Sequence, residues 1–267
     1  MDNRIARTVV RELLSAFERR EGVFADTKEL LENQIPLGVK PGSRQHANFL
    51  FYLICQDHGV KSAMLYQRAK ALYVARAKAY SPRDIVAAYS REDDPDLIGI
   101  LTALGVRYPR NGAKAWLINS RRLVDGYKSD ARNLFSFDSA QEIMRHIRGM
   151  YGFGPKTGGL LFRVFVGLRF ASPRQIEEVD FPTDIHDTRI AALTGAANIP
   201  TNLTEANYMP YVKLAETAWR NACRYEHLNW LQVDRALWIL GSKGCASSRH
   251  YDCPLRSYCQ LGMETLL

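Results

Sequence analysis

The sequence predicts an all-α protein, because apolar residues recur at helical spacing and strand patterns are scarce. The helical spacing is clear between Ile5 and Phe17 and again between Phe49 and Ile54. Alternation of apolar and polar residues, which marks half-buried strands, is hard to find in the chain. Helix-breaking pairs divide it into short segments, among them Pro41-Gly42, Asp94-Pro95 and Tyr108-Pro109. We therefore expect about ten or more helices joined by short connections.

Capping signals mark several of the expected helix starts. Ser81-Pro82 places a proline in a first turn, and Ser139 followed by Glu142 matches a capping box. Two stretches are the least helix-like: residues 172–185, with two prolines and an acidic cluster, and residues 241–259 near the C-terminus.

Composition restricts the class of partner. The 267 residues are enough for one large core or two small ones, and a net charge of +8 with a pI near 9.3 favours an anionic partner such as nucleic acid or an acidic membrane surface. No apolar run has the roughly 18–20 residues that a membrane span needs. We expect a soluble, monomeric protein of the cytoplasm or nucleoid, with no membrane partner.

A glycine-rich turn joins two predicted helices. It reads Gly152-Phe-Gly154-Pro-Lys-Thr157 and follows a helical segment at 142–149. Such a turn exposes backbone N–H groups at the positive end of the next helix, which suits a phosphate, although a purely structural turn is the alternative. Because no strand precedes the turn, a dinucleotide-binding fold and a P-loop are disfavoured.

A second string, Asp184-Ile-His186-Asp-Thr-Arg189, follows downstream. Together the two strings resemble the helix-hairpin-helix (HhH-GPD) DNA glycosylase superfamily, and specifically its endonuclease III-like branch, which carries G-x-G-x-K-T and then D-x-H-x-x-R. The resemblance implies a two-lobed helical fold with DNA in the groove between the lobes. The central helical barrel would span 42–171, with the helix-hairpin-helix at about 142–168, and residues 1–41 with 172–267 would form the second lobe.

The resemblance also assigns chemistry. The lysine at the position of Lys156 attacks C1′ of the damaged nucleotide, displaces the base and forms a Schiff base that permits strand cleavage, while the aspartate at the position of Asp184 supports it. The residue types fit, because a lysine becomes nucleophilic when burial or a helix dipole lowers its pKa, and a carboxylate stabilises positive charge on the sugar. DNA contacts are implied for Gly152, Gly154, Thr157, His186 and Arg189.

These residues also have structural interpretations. Asp184 has the position of an N-cap, and Asp187 is a rival for that cap. The interval from Lys156 to Asp184 is longer than in the family, with an insert at 172–183, so Asp180 is a minor competitor for the acidic role.

Two upstream segments are similar to family elements that enter the duplex. Gln56, at the end of a predicted helix, matches a glutamine that enters near the vacated base position, although an ordinary helix-end residue is equally consistent. Tyr108 or Val106 matches an apolar wedge that offsets part of the cost of flipping a base.

The C-terminal cysteines resemble the iron–sulfur loop of endonuclease III-like enzymes, which has four cysteines. The five residues between Cys253 and Cys259 match its last interval, His250 stands where its second cysteine would be, and the first interval is shorter. The implied ligand set is Cys245, His250, Cys253 and Cys259. It would hold a [4Fe-4S] cluster, with zinc as the alternative, or nothing if the loop has decayed.

The predicted function is therefore a DNA glycosylase with AP lyase activity in base excision repair, acting on double-stranded DNA with a damaged or modified base. The alternatives are a monofunctional glycosylase in which Asp184 activates water, and a non-catalytic helix-hairpin-helix DNA-binding protein. The sequence leaves open which base is removed.

Overall fold

The structure is a computed structural model that describes residues 4–57 and 59–264, apart from the side chains of His250 and Glu264. Within these residues it is all-α, as predicted, and one isolated bridge between Ser139 and Arg174 is the extent of β pairing. The helices are α1 (Arg4–Glu18), α2 (Arg44–Cys55), α3 (Ser62–Ala75), α4 (Pro82–Ala88), α5 (Pro95–Leu104), α6 (Pro109–Tyr127), α7 (Ala140–Arg148), α8 (Pro155–Gly167), α9 (Ile185–Thr194), α10 (Val212–Tyr225), α11 (Trp230–Ile239) and α12 (Gln260–Glu264).

The chain divides into two compact units. Leu31–Val179 forms one, called the central unit below, and Met1–Leu30 with Asp180–Leu267 forms the other, called the terminal unit. The sequence placed the central segment at 42–171, so the structure adds about ten residues to each end of it. The added residues belong there by their contacts: Glu32 forms a buried ion pair with Arg163 of α8 at 3.1 Å.

The core of the central unit is built around α2. This helix is buried from His46 to Cys55, as expected for a helix whose sequence is apolar from Phe49 to Cys55. The Tyr52 ring stacks on Trp116 of α6 with centroids 5.0 Å apart, and its hydroxyl lies 2.6 Å from Ser120 Oγ.

The predicted helix starts are confirmed. Ser139 Oγ accepts a hydrogen bond from Glu142 N at 3.1 Å, and Ser81 caps α4 with Pro82 in its first turn. Each cap satisfies an N–H group that the helix itself cannot pair.

The terminal unit packs α1 against α9, α10 and α11. The apolar face of α1, with Val9, Val10 and Leu13, is fully buried. Trp219 of α10 is also buried, and its Nε1 donates to the Asp187 carbonyl of α9 at 3.2 Å. Every helix in the described part of the chain is too short or too polar to cross a bilayer.

Candidate active site

Hydrogen bonds within the turn hold the hairpin between α7 and α8. Gly152 has φ +82°, a left-handed conformation that glycine adopts at little cost. Thr157, buried in the first turn of α8, accepts a hydrogen bond from Gly154 N at 3.0 Å and donates to the Gly152 carbonyl at 3.3 Å. One threonine hydroxyl therefore fixes both glycines of the turn.

The second glycine of the hairpin is not required by the fold. Gly154 has an ordinary φ of −84°, and a Cβ added there would meet no atom within 4 Å. The residue is exposed, and it precedes Pro155 at the start of α8. What glycine provides here is bare backbone at a helix N-terminus, the arrangement that admits a phosphate.

Lys156 is the second residue of α8 and is exposed. An ammonium group in the first turn of a helix is repelled by the positive end of the helix dipole. Lys156 thus stands beside the bare backbone of Gly154, at the exposed start of α8.

A buried asparagine that the sequence analysis missed pins the hairpin to α6. Asn119 is fully buried, its Oδ1 accepts from Tyr151 N at 2.7 Å and its Nδ2 donates to the Tyr151 carbonyl at 2.9 Å. Its Nδ2 also lies 3.6 Å from Cys55 Sγ, at the end of α2. The one signal in the sequence is a polar residue within an apolar stretch of α6, and that signal does not name its distant partner.

Gln56 caps the end of α2 and is 3% exposed. Its Nε2 lies 3.7 Å from Cys55 Sγ, and a Cβ at Gly112 of α6 would stand 2.8 Å from its Oε1. Insertion of Gln56 into a duplex would require this side chain to leave its buried position, so its role in DNA binding stays a prediction. Burial also raises the pKa of the Cys55 thiol to about 12.

The two candidates for the wedge differ in exposure. Val106 is 8% exposed and belongs to the core, whereas Tyr108, the N-cap of α6, is 52% exposed. Of the two, Tyr108 is the side chain that a partner can reach.

In the terminal unit, Asp184 is the N-cap of α9. Its Oδ1 accepts from His186 N at 2.8 Å, and Asp187 Oδ2 accepts from Asp184 N at 2.8 Å. Asp184 is therefore the cap and Asp187 completes the capping box. The competitor Asp180 lies 3.2 Å from Arg220 and 4.0 Å from Lys213, in an ion-pair cluster.

His186 and Arg189 face the C-terminal segment of their own unit. With Cys245 they border a cavity of about 350 Å³. A Cβ at Gly241, in the π-helical segment Leu240–Cys245, would overlap the His186 Cβ, so this glycine permits the close approach of α9. Arg189 Nε donates to the Leu203 carbonyl at 3.2 Å. The predicted DNA contacts of His186 and Arg189 stay predictions.

The three tail cysteines lie within electrostatic range of one another. Burial raises the pKa of Cys245 to about 12, and the thiols of Cys253 and Cys259 raise it further. Burial likewise raises the pKa of Cys253 to about 11. Among the side chains that the structure describes, no three His, Cys, Asp or Glu converge closely enough for a single metal ion. The fourth predicted ligand, the His250 side chain, lies outside the described part.

Comparison with solved structures identifies the fold. The structure is similar to endonuclease III in a trapped covalent intermediate with DNA, with a TM-score of 0.61 and 16% identity over 98% of this chain and 99% of that one. It is similar to a thermostable thymine-DNA glycosylase, with a TM-score of 0.58 and 12% identity over 98% of each chain. These similarities show the helix-hairpin-helix DNA glycosylase fold that the sequence predicted.

A third similar structure is the 8-oxoguanine glycosylase/lyase of Methanocaldococcus jannaschii with DNA containing 8-oxoguanine. The TM-score is 0.54 at 15% identity, over 87% of this chain and 96% of that chain. No sequence-family model matches the chain, and no curated protein sequence matches it either.

Proposed function

We propose that this protein is a DNA glycosylase with AP lyase activity, acting in base excision repair on duplex DNA that contains a damaged or modified base. The hairpin is the main observation behind this proposal. Its turn is held by hydrogen bonds, Gly154 leaves the backbone bare, and Lys156 lies in the first turn of the next helix. The similar structures of endonuclease III trapped on DNA and of an 8-oxoguanine glycosylase/lyase support it.

In the proposed reaction the neutral amine of Lys156 forms a bond to C1′ of the target nucleotide. The C1′–N bond to the base breaks, and the base leaves with the electron pair and takes up a proton. Opening of the sugar ring gives a Schiff base at Lys156, and loss of a C2′ proton then expels the 3′ phosphate and cuts the strand. The Asp184 carboxylate would stabilise the positive charge that develops on the sugar.

Three features would contribute to the binding of DNA. The bare backbone at Gly152 and Gly154 would hold a DNA phosphate at the N-terminus of α8. Tyr108 would enter the stack and offset part of the cost of flipping the base. The net charge of +8 would supply the salt-sensitive attraction to DNA that is independent of sequence.

A monofunctional glycosylase is the second candidate, and the setting of Asp184 favours it. This carboxylate is 8% exposed and held in place by the α9 cap, as suits a residue that activates one water molecule. In this candidate Lys156 forms no covalent bond.

A panel of duplexes with single lesions tests both candidates, with base release and strand cleavage measured separately. The panel would contain oxidised pyrimidine, oxidised guanine, uracil, a thymine mispair and an alkylated purine. We expect the wild type to release one of these bases and cut the strand, and Lys156→Gln to do neither.

Base release that survives in Lys156→Gln and is lost in Asp184→Asn would establish the monofunctional enzyme. Binding without any release would leave a non-catalytic DNA-binding protein. Lys78→Gln, an exposed lysine between α3 and α4, is the control.

We further propose that the cysteine tail holds a [4Fe-4S] cluster. The cysteine spacing supports this proposal, because the five residues between Cys253 and Cys259 match the last interval of the iron–sulfur loop that the tail resembles. A cavity borders Cys245. Cys245, Cys253 and Cys259 would bind the cluster with His250, and its contribution would be to hold the loop in place.

The absorbance spectrum and metal content of the purified protein test this assignment. A brown protein with iron supports the cluster. A colourless protein with zinc would establish the alternative ligand, and a colourless protein without either metal would show that the loop has lost its site.

A further inference from the structure

A basic cleft lies on the central unit, apart from the hairpin turn. It occupies about 290 Å³ between the start of α3 and the loop that joins α5 to α6. Three exposed cations line it: Lys61, Arg68 and Arg107. None of the three belongs to a motif recognised in the sequence.

Within the described residues, no carboxylate neutralises the charge of this cleft. In the part of the chain that the structure describes, none of the three cations has a carboxylate within 4.0 Å. The nearby acid in the sequence, Asp57, is buried and accepts hydrogen bonds from Ser62 Oγ at 2.7 Å and Tyr66 Oη at 2.6 Å. Other exposed cations of the same unit do have partners: Arg76 pairs with Asp96, Arg91 with Asp93 and Lys114 with Glu92.

Both arginine side chains of the cleft pack against the backbone of a glycine. Gly59 has φ +65°, and a Cβ there would stand 2.9 Å from Arg107 Cδ. Gly105 has φ +73°, and a Cβ there would overlap Arg68 Nη1. An arginine already held against the surface loses less conformational freedom when it binds a ligand, and its planar fork matches the oxygens of a phosphate.

The N-terminus of α3 adds to the positive potential. Lys61 is its N-cap and makes no side-chain capping bond, and Lys61 and Met64 line the cleft, so the positive end of a helix of 14 residues borders it. Arg107 also links the cleft to Tyr108, because its Cζ lies 5.3 Å from the centre of the tyrosine ring.

We propose that this cleft binds a backbone phosphate of duplex DNA, a second phosphate besides the one at the hairpin. The inference rests on the proposed function. The end of α2 connects the two sites, since Cys55 and Gln56 adjoin the Asn119 clamp of the hairpin and Gly59 follows them. A phosphate held beside Tyr108 would fix the register of the duplex at the point where that ring enters.

The salt dependence of binding to an undamaged duplex tests the proposal, measured by fluorescence anisotropy. We expect Lys61→Gln, Arg68→Gln and Arg107→Gln each to weaken binding and to reduce the slope of log K against log salt by up to about 0.9. Arg107→Lys should retain most of the slope, and Lys78→Gln should retain all of it. Thermal melting identifies a variant that fails to fold. If an arginine variant fails to fold, Lys61→Gln tests the proposal, because the Lys61 side chain does not pack on a glycine.

Three results would overturn the proposal. Unchanged slopes in folded variants would show that the cleft binds no phosphate. A loss of affinity that appears with only one base sequence of the undamaged duplex would show that the cleft reads a base. A wild type without salt-sensitive DNA affinity would remove the proposed function as well, which separates that failure from failure of the cleft alone.

Discussion

The hairpin of the central unit and the cysteine tail of the terminal unit are the two segments with the clearest chemistry, and different forces hold them. Hydrogen bonds from Thr157 and Asn119 fix the hairpin backbone. The tail runs from a π-helical turn at Leu240–Cys245 into short 3-10 and irregular segments, and its three cysteines lie within electrostatic range of one another. The hairpin is organised before any ligand arrives, whereas bonds to a metal or cluster would complete the order of the tail.

This difference explains which parts of the two segments could be predicted from the sequence. The turn and the helix start of the hairpin lie within six residues, so local rules suffice to predict them, whereas the hydrogen bonds of Thr157 within the turn were not predicted. The N-cap at Asp184 and the helix starts at Ser81 and Ser139 are local in the same way. The Asn119 clamp joins residues 32 apart, and no pattern in one sequence pairs it with Tyr151.

The same limit applies to exposure and to ligands. The sequence predicted DNA contacts for Gln56, Val106 and Tyr108 alike. Burial depends on how α2, α5 and α6 pack, and of the three only Tyr108 is exposed. The basic cleft was not predicted because its cations come from α3 with its N-cap and from the loop after α5, and only the folded chain brings these segments together. The ligand of the tail was left open because cysteine spacing alone is compatible with several groups.

The largest effect is expected at Asp184, where two roles can be separated. Asparagine is as good an N-cap as aspartate, so Asp184→Asn should keep the α9 cap while base release falls by roughly 100-fold or more. Asp184→Ala should lose the cap as well, at about 1 kcal/mol, and melt about 2–4 °C lower. Single-turnover base release and thermal melting measure the two effects. Equal activity of Asp184→Asn and the wild type would reduce this residue to a cap.

Removal of the Asn119 clamp should destabilise the hairpin strongly. Asn119→Leu leaves the N–H and carbonyl of Tyr151 without their buried partner, at a cost of about 2–4 kcal/mol. Urea unfolding measures this change, and Asn111→Leu, at an exposed position of α6, is the matched control. If the two variants were equally stable, the hairpin would not depend on the clamp.

The packing of the tail against α9 depends on Gly241. Gly241→Ala forces His186 to move and should cost about 1–3 kcal/mol. The control is Gly99→Ala in α5, where the new methyl group meets no atom within 4 Å and should stabilise the helix by up to about 1 kcal/mol. Thermal melting should therefore shift in opposite directions, and a shift in the same direction would argue against tight packing at Gly241.

The two glycines of the hairpin should respond differently to alanine. Gly152→Ala forces alanine to a positive φ, at about 1–2 kcal/mol. Gly154→Ala should leave stability unchanged to within about 0.5 kcal/mol, yet weaken binding of an undamaged duplex several-fold by blocking a phosphate. Melting and anisotropy on both variants test this contrast. Full DNA affinity in Gly154→Ala would mean that no phosphate approaches the turn.

Borohydride trapping on a duplex with an abasic site tests the role of Lys156, because this substrate does not depend on which base the protein removes. We expect borohydride to reduce a Schiff base to a stable protein–DNA adduct whose modified peptide carries the sugar on Lys156. Lys156→Gln should form no adduct, and Lys78→Gln should form as much as the wild type. An adduct on another lysine, or no adduct in a wild-type protein that binds the same duplex, would contradict a Schiff base at Lys156.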